Sequence, residues 1–265
     1  MGTEFPASAV LHTKDSSLSE EGWIVRVCVT NDDGIGAPGI ASLVVALQSL
    51  GHDVMVVAPD SNQSGKSQSI SLNQTLSVRP YSMTVVAEAF AVSGTPTDCV
   101  RLICAGAFGD WPAIILSGVN DGANLGSDQY LSGTVGAARE AALHKIPSIA
   151  WSTENMDSRQ LAHLLRQYLP PLTALALGHP GAFYNVNFPA AGGEDSAFTV
   201  PSPPWFQDKA VAVGSDQIVL LREMNEQVEE GTDVACVMAG LTSISPVVAI
   251  AHRRSSISQQ ASMVI

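Results

Sequence analysis

The sequence contains no apolar run that approaches the roughly 20 residues needed to cross a bilayer. No membrane-spanning segment is therefore expected. The first 23 residues lack a basic start followed by an apolar stretch, so no secretory signal is read there. They are polar and patternless, and are read as a disordered leader or a remnant of expression. Positive charge is scarce: 13 Lys and Arg stand against 25 Asp and Glu, for a net charge of −12. That field repels DNA and RNA, which excludes a nucleic-acid polymer as partner. A small anion can still bind where a cation sits. Cysteine is scarce as well. Cys28, Cys99, Cys104 and Cys236 form no C-x-x-C pair. Cys99 and Cys104 fall on one predicted helix at a spacing that shares no face. Reduced, buried thiols are expected in place of disulfides or a zinc site, which points to the cytoplasm.

What remains is a chain of 265 residues with 46% hydrophobic and only 14% charged side chains, the composition of a globular protein. Residues 23–29 read as a buried strand. Pro38 suits the first position of a helix, Ile40, Leu43, Val44 and Leu47 follow helical spacing, and Gly51 is a natural stop. Residues 54–58 form a second apolar strand. The three together make a βαβ unit and hence a parallel sheet. A polar loop, "PDSNQSGKSQS", fills residues 59–69, and residues 69–93 alternate loosely as β hairpins do. In "GTPTDCVRLI", Thr95, Pro96 and Asp98 spell the capped start of a helix. Strands are expected at 113–116, 146–151 and 183–188, and helices at 134–144 and 157–169. From Pro189 the α/β alternation stops, and residues 189–265 are read as β-rich arms or an oligomerisation appendage on a 24–188 core.

The stretch "VTNDDGIGAPGI" raises the functional question. Gly34, Gly36 and Gly39 spell the G-x-G-x-x-G of dinucleotide folds, and Asp60 stands about where a ribose-binding acid would. Asp32 and Asp33 oppose that reading. A phosphate about 4 Å from one carboxylate costs about 4 kcal/mol at an effective dielectric of 20. A helix N-terminus returns only about 1 kcal/mol. An anion therefore needs a cation between itself and these acids. "GKS" at 65–67 is not a P-loop, because position 60 holds Asp60 and no helix follows directly. An aspartate-nucleophile phosphatase of the haloacid-dehalogenase type fails because position 34 is glycine. Asp32, Asp33, a serine of the 59–69 loop and the Asn120 amide are hard oxygen donors suited to Mg²⁺ or Mn²⁺. Either ion can polarise a phosphoryl oxygen and activate a water. Either aspartate alone reads as turn chemistry. The adjacent pair, with two more polar loops at the carboxyl ends of parallel strands, reads as a metal site.

"VTNDDGIGAPGI", "VVAPDSNQSGKSQSIS", "SGTPTDCVRL", "ILSGVNDGANLG" and "YLSGTVGAAREA" together resemble the SurE family, the survival protein E nucleotidases. The resemblance runs over residues 24–151, with weaker echoes in "NVNFP" and "GTDVACVMAGLTSISPV". It implies an α/β fold with a Rossmann-like, three-layer parallel-sheet core and swapped C-terminal β elements that build homodimers or homotetramers. It also implies a divalent-metal-dependent phosphomonoesterase, a 5′-nucleotidase acting on nucleoside 5′- and 3′-monophosphates and in some members on polyphosphate. One Mg or Mn ion per subunit is implied, with Asp32, Asp33, Ser64 and Asn120 as ligands. Asn124, Ser132, Gly133 and Thr134 match the phosphate-side loops and complete a catalytic set with the two aspartates. Ser132 and Thr134 also read as ordinary helix N-caps, and one cap can serve both purposes. Of the aspartates, Asp32 is the expected partner of the attacking water and Asp33 the plainer ligand. The tail departs from the family pattern: His252 has no aspartate beside it and reads as a surface histidine. Two rival readings are an NAD(P)-dependent oxidoreductase using the glycine loop and a nucleotide-binding sensor that has lost turnover.

Overall fold

The computed structural model describes residues 24–154, 157–224 and 228–249. The expected leader and His252 lie outside the described residues. Among the described residues nine strands form one sheet. Strand β1 (Arg26–Thr30) lies between β2 (Asp53–Pro59) and β5 (Ile114–Asp121). Beyond β2 come β4 (Glu88–Val92) and then β3 (Val78–Pro80); beyond β5 come β6 (Ser148–Thr153), β7 (Ala182–Phe188), β11 (Thr242–Val248) and β8 (Ser196–Phe198). Strands β4, β2, β1, β5, β6 and β7 are mutually parallel. Their near-continuous apolar runs are what burial on both faces demands. Helices α1 (Pro38–Ser49) and α4 (Ser158–Leu177) join one core cluster with Val27, Val29 and Trp151. Cys28, Met55, Val57 and Ile115 of the strands pack with Cys99 and Val100 of α2 (Pro96–Cys104) and Ala137 and Ala141 of α3 (Gly133–Leu143) in another. The expected three-layer α/β core is observed.

Local chemistry explains most boundaries. Pro38 opens α1, and Gly51 follows its end at φ +84°. Thr95 and Asp98 form both halves of the capping box of α2. Two elements run further than their sequence patterns. Helix α4 passes through Pro170 and Pro171 to Leu177, because Leu172, Thr173 and Ala176 are buried and packing outweighs the two missing N–H donors. Strand β5 continues past Leu116 through Ser117 and Gly118 to Asp121, where small residues had read as loop.

The chain beyond Phe188 is not a separate layer. Strand β11 pairs antiparallel with β7 and parallel with β8, so it extends the central sheet. Among the described residues, only β9 (Phe206–Ala212) and β10 (Ile218–Met224) stand apart, as a two-stranded antiparallel hairpin. A short helix, α5 (Asp233–Met238), precedes β11. The extra β-rich C-terminal part is present, with this one helix the sequence reading did not contain.

Candidate active site

The strand order reverses between β1 and β5, and open α/β sheets place their ligand crevice at the carboxyl ends of such strands. Asp32 and Asp33 follow β1 there, and Asn120 and Asp121 end β5. Two glycines let the surrounding elements approach. Gly39, third in the dinucleotide-like pattern, lies so close to β5 that an added Cβ would sit 1.9 Å from the Val119 carbonyl oxygen. Its role is to seat α1 against the strand. Gly133, at the start of α3, faces Asp32, where a Cβ would lie 2.8 Å from the Asp32 Cβ.

The two aspartates sit in different surroundings. Asp32 is buried at 3% exposure. Its Oδ1 accepts from the Thr134 hydroxyl at 2.6 Å and its Oδ2 from the Gly133 N–H at 3.1 Å. Its carbonyl oxygen accepts from the Gln63 N–H at 2.6 Å, which ties the 59–69 loop to the site. Asp33 is half-buried and accepts one N–H, from Asp121, at 3.3 Å. Burial pushes its carboxyl up to about 6, with the neighbouring Asp32 charge next in weight; the Asp121 N–H pulls down and the Asp121 charge pushes up. Among the described residues, neither aspartate forms an ion pair with Lys, Arg or His.

The other expected residues are placed as follows. Ser64 follows Gln63 directly, exposed, its N–H donating to Asn62 Oδ1 at 2.8 Å. The same loop is anchored across the site by Ser67, whose N–H and hydroxyl donate to the carbonyls of Leu131 and Tyr130. Asn120 Nδ2 donates to the Gly122 carbonyl at 2.7 Å, which turns the amide oxygen the other way. Ser132 caps α3, its Oγ accepting from the Val135 N–H at 3.1 Å. Asn124 is buried, and its Nδ2 donates to Ser152 Oγ at 2.8 Å while its N–H donates to Asn187 Oδ1 and its carbonyl accepts from Asn185 and Asn187. The side chain ties the loop to β6, and the backbone of Asn124 ties it to β7.

A cleft of about 550 Å³ opens beside Asp33 and Asn120. Asp121 and Thr153 share its wall, and the first turns of α1 and α4 face them through Pro38, Ser42, Ser158 and Leu161. The volume falls within the range of small-molecule sites. Among the described residues its lining carries carboxylates and no Lys or Arg.

Two residues were missed by sequence reasoning. Asp121 adds a third carboxylate beside Asp33, and its position next to Asn120 was the available signal. Asp233, fully buried on α5, accepts from the N–H groups of Gly126, Ser202 and Val234 at 2.7–2.9 Å. It joins the loop after Asn124 to the chain beyond Phe188, and no local pattern marked it.

The donor set can be tested for a hard divalent ion. Among the described residues no three His, Cys, Asp or Glu side chains gather as a metal cluster. The candidate set instead mixes two carboxylates with a hydroxyl and an amide oxygen. Among the described residues the adjacent carboxylates lack a cationic side-chain partner, and burial first and the Asp32 charge second disfavour the ionised form of Asp33. An oxygen-binding cation favours that form, so the residues present fit the group.

Fold and site together define an open, doubly wound α/β protein with an anionic, oxygen-rich site at its switch point. The comparisons with known proteins narrow this class. The family model described as Survival protein SurE matches residues 27–202. A 5′-nucleotidase SurE of Desulfitobacterium hafniense is 33% identical over 241 residues, which are 84% of this chain and 90% of that protein. A 5′-nucleotidase SurE 1 of Chlamydia caviae is 40% identical over 198 residues, covering 72% of this chain and 68% of the other. The crystal structure of SurE protein from Aquifex aeolicus superposes with a TM-score of 0.72 at 28% identity, covering 91% of this chain and 100% of that one. The chain belongs to the SurE family.

Proposed function

We propose that the chain is a divalent-metal-dependent 5′-nucleotidase, a phosphomonoesterase that cleaves nucleoside 5′- and 3′-monophosphates to nucleoside and phosphate. Polyphosphate is a further candidate substrate. The observation that carries the reading is the Asp32–Asp33 pair: two carboxylates at the switch point, without a cationic side chain, beside a cleft able to hold a nucleoside. The names of the relatives support the activity.

Asp32, Asp33, Ser64 and Asn120 would hold one Mg or Mn ion per subunit. Such an ion supplies charge neutralisation and Lewis acidity toward a phosphoryl oxygen. Asp33 lines the cleft while Asp32 is enclosed, so the Asp33 carboxylate is proposed to take the proton of an attacking water. This reverses the division expected from sequence. Asn120, Ser42, Thr153 and Ser158 in the cleft lining offer hydrogen-bond partners to the hydroxyls of a nucleoside leaving group.

The assembly is proposed to be a homodimer or homotetramer. Hairpin β9–β10 exposes Ile218, Leu220 and Met224, each more than 60% accessible, and a second copy of the chain would cover them. No helix among the described residues is long and apolar enough to cross a membrane.

The test is phosphate release from 5′-AMP, 3′-AMP and p-nitrophenyl phosphate with added Mn²⁺. Activity that survives both exhaustive EDTA and Asp33→Asn overturns the proposal.

A further inference from the structure

We infer that Thr134 is a positioning residue that acts on Asp32, and that it makes no contact with phosphate. The activity arm of its test rests on the nucleotidase reading; the binding arm rests only on the metal site. Thr134 is fully buried in the first turn of α3. A hydroxyl has one proton to donate. Thr134 commits it to Asp32 Oδ1 at 2.6 Å, a short, charge-assisted geometry. It has nothing left to offer a phosphate oxygen. The neighbouring Gly133 N–H holds Oδ2 at 3.1 Å, so both oxygens of one carboxylate are fixed by consecutive residues of α3.

The rest of Asp32 is held too. The Gln63 N–H bonds its carbonyl oxygen. The space against Gly133 is closed, since an added Cβ there would come within 3.0 Å of Oδ2. Plane and rotamer of the carboxylate are thereby set before any cation arrives, leaving its other lone pairs for coordination. Asp33, with one bond at 3.3 Å, has no such support. The adjacent hydroxyl behaves differently. Ser132 Oγ accepts from Val135, and its proton has no acceptor among the described residues. Ser132, and not Thr134, is the hydroxyl of this turn that remains able to donate to a phosphoryl oxygen.

Outer partners of metal ligands typically contribute 10- to 100-fold in affinity or activity. The experiment is Mn²⁺ titration calorimetry on the full chain, with thermal melting in EDTA and steady-state kinetics on p-nitrophenyl phosphate. Thr134→Val is expected to weaken Mn²⁺ binding about 10- to 100-fold. At saturating Mn²⁺ its KM for the substrate should stay near that of the wild type. Thr134→Ser should restore Mn²⁺ affinity, because it returns the hydroxyl. Thr134→Ala carries the same test should valine not fold. Wild-type Mn²⁺ affinity with a raised KM would overturn the inference in favour of a direct substrate contact. Serine as impaired as valine would overturn it in favour of packing. A wild-type protein that binds Mn²⁺ without turnover overturns the nucleotidase reading alone.

Discussion

Strand β1 and strand β10 of the hairpin each carry an apolar run, yet they use it differently. Within β1, Val27, Cys28 and Val29 are fully buried, and nearby small residues let backbone meet backbone. The hairpin carries Ile218, Val219, Leu220 and Leu221 in a row, all at least 38% exposed. It is held to the rest by few polar contacts, such as Arg222 to Asp128 at 2.9 Å. The core region explains itself from one chain. The hairpin leaves its apolar side chains exposed, and the proposed assembly would cover them.

Substitutions can break this contrast from its rigid end. Gly39→Ala places a methyl group on the Val119 carbonyl and should destabilise the fold by more than about 3 kcal/mol, read as loss of soluble protein or a collapse in Tm. Gly133→Ala should leave more of the fold intact but push Asp32 aside, lowering kcat/KM for p-nitrophenyl phosphate about 100-fold, as a displacement near 1 Å does elsewhere. Asp233→Asn keeps the shape but replaces one acceptor by a donor opposite a backbone N–H. It should cost about 1–3 kcal/mol in urea unfolding. Burial holds the Asp233 carboxyl above its ordinary value, against the pull of its backbone N–H partners. The folded chain therefore binds that proton more tightly than the unfolded chain. The stabilising contribution is complete below the unfolded value and is lost as pH rises through the folded one, and the asparagine variant should lack that slope.

The smallest expected effect lies on the hairpin. Leu220→Asp replaces a side chain that is 70% exposed and should change subunit stability by no more than about 0.5 kcal/mol. Light scattering should nonetheless report a smaller assembly. A large loss of subunit stability, or an unchanged assembly, would erase the difference between the two regions.

Sequence was legible where chemistry is local. Pro38 and Gly51 bracket α1, and Thr95 with Asp98 caps α2, because those functions need specific residue types at fixed offsets. The paired aspartates announced themselves by charge. What was not legible depends on distance along the chain. Thr134 meets Asp32 across 102 positions, and Asp233 meets Gly126 across 107. Neither pairing leaves a periodic trace. Helix α4 outran its reading because the signal at Pro170 and Pro171 is local while the burial that overrides it is tertiary. The G-x-G-x-x-G pattern was legible but ambiguous: tight helix–strand packing requires Gly39 whether or not a dinucleotide is present.

The placement of β11 has a practical consequence for anyone shortening this protein. A chain cut after Phe188 retains every proposed ligand and looks, from sequence, like a self-sufficient minimal enzyme. It would leave β7 with a bare line of backbone donors and acceptors where residues 242–248 had been bonded. An open flank of that kind recruits strands from other molecules. The truncated form should therefore be sticky, precipitating from solutions in which the full chain stays clear.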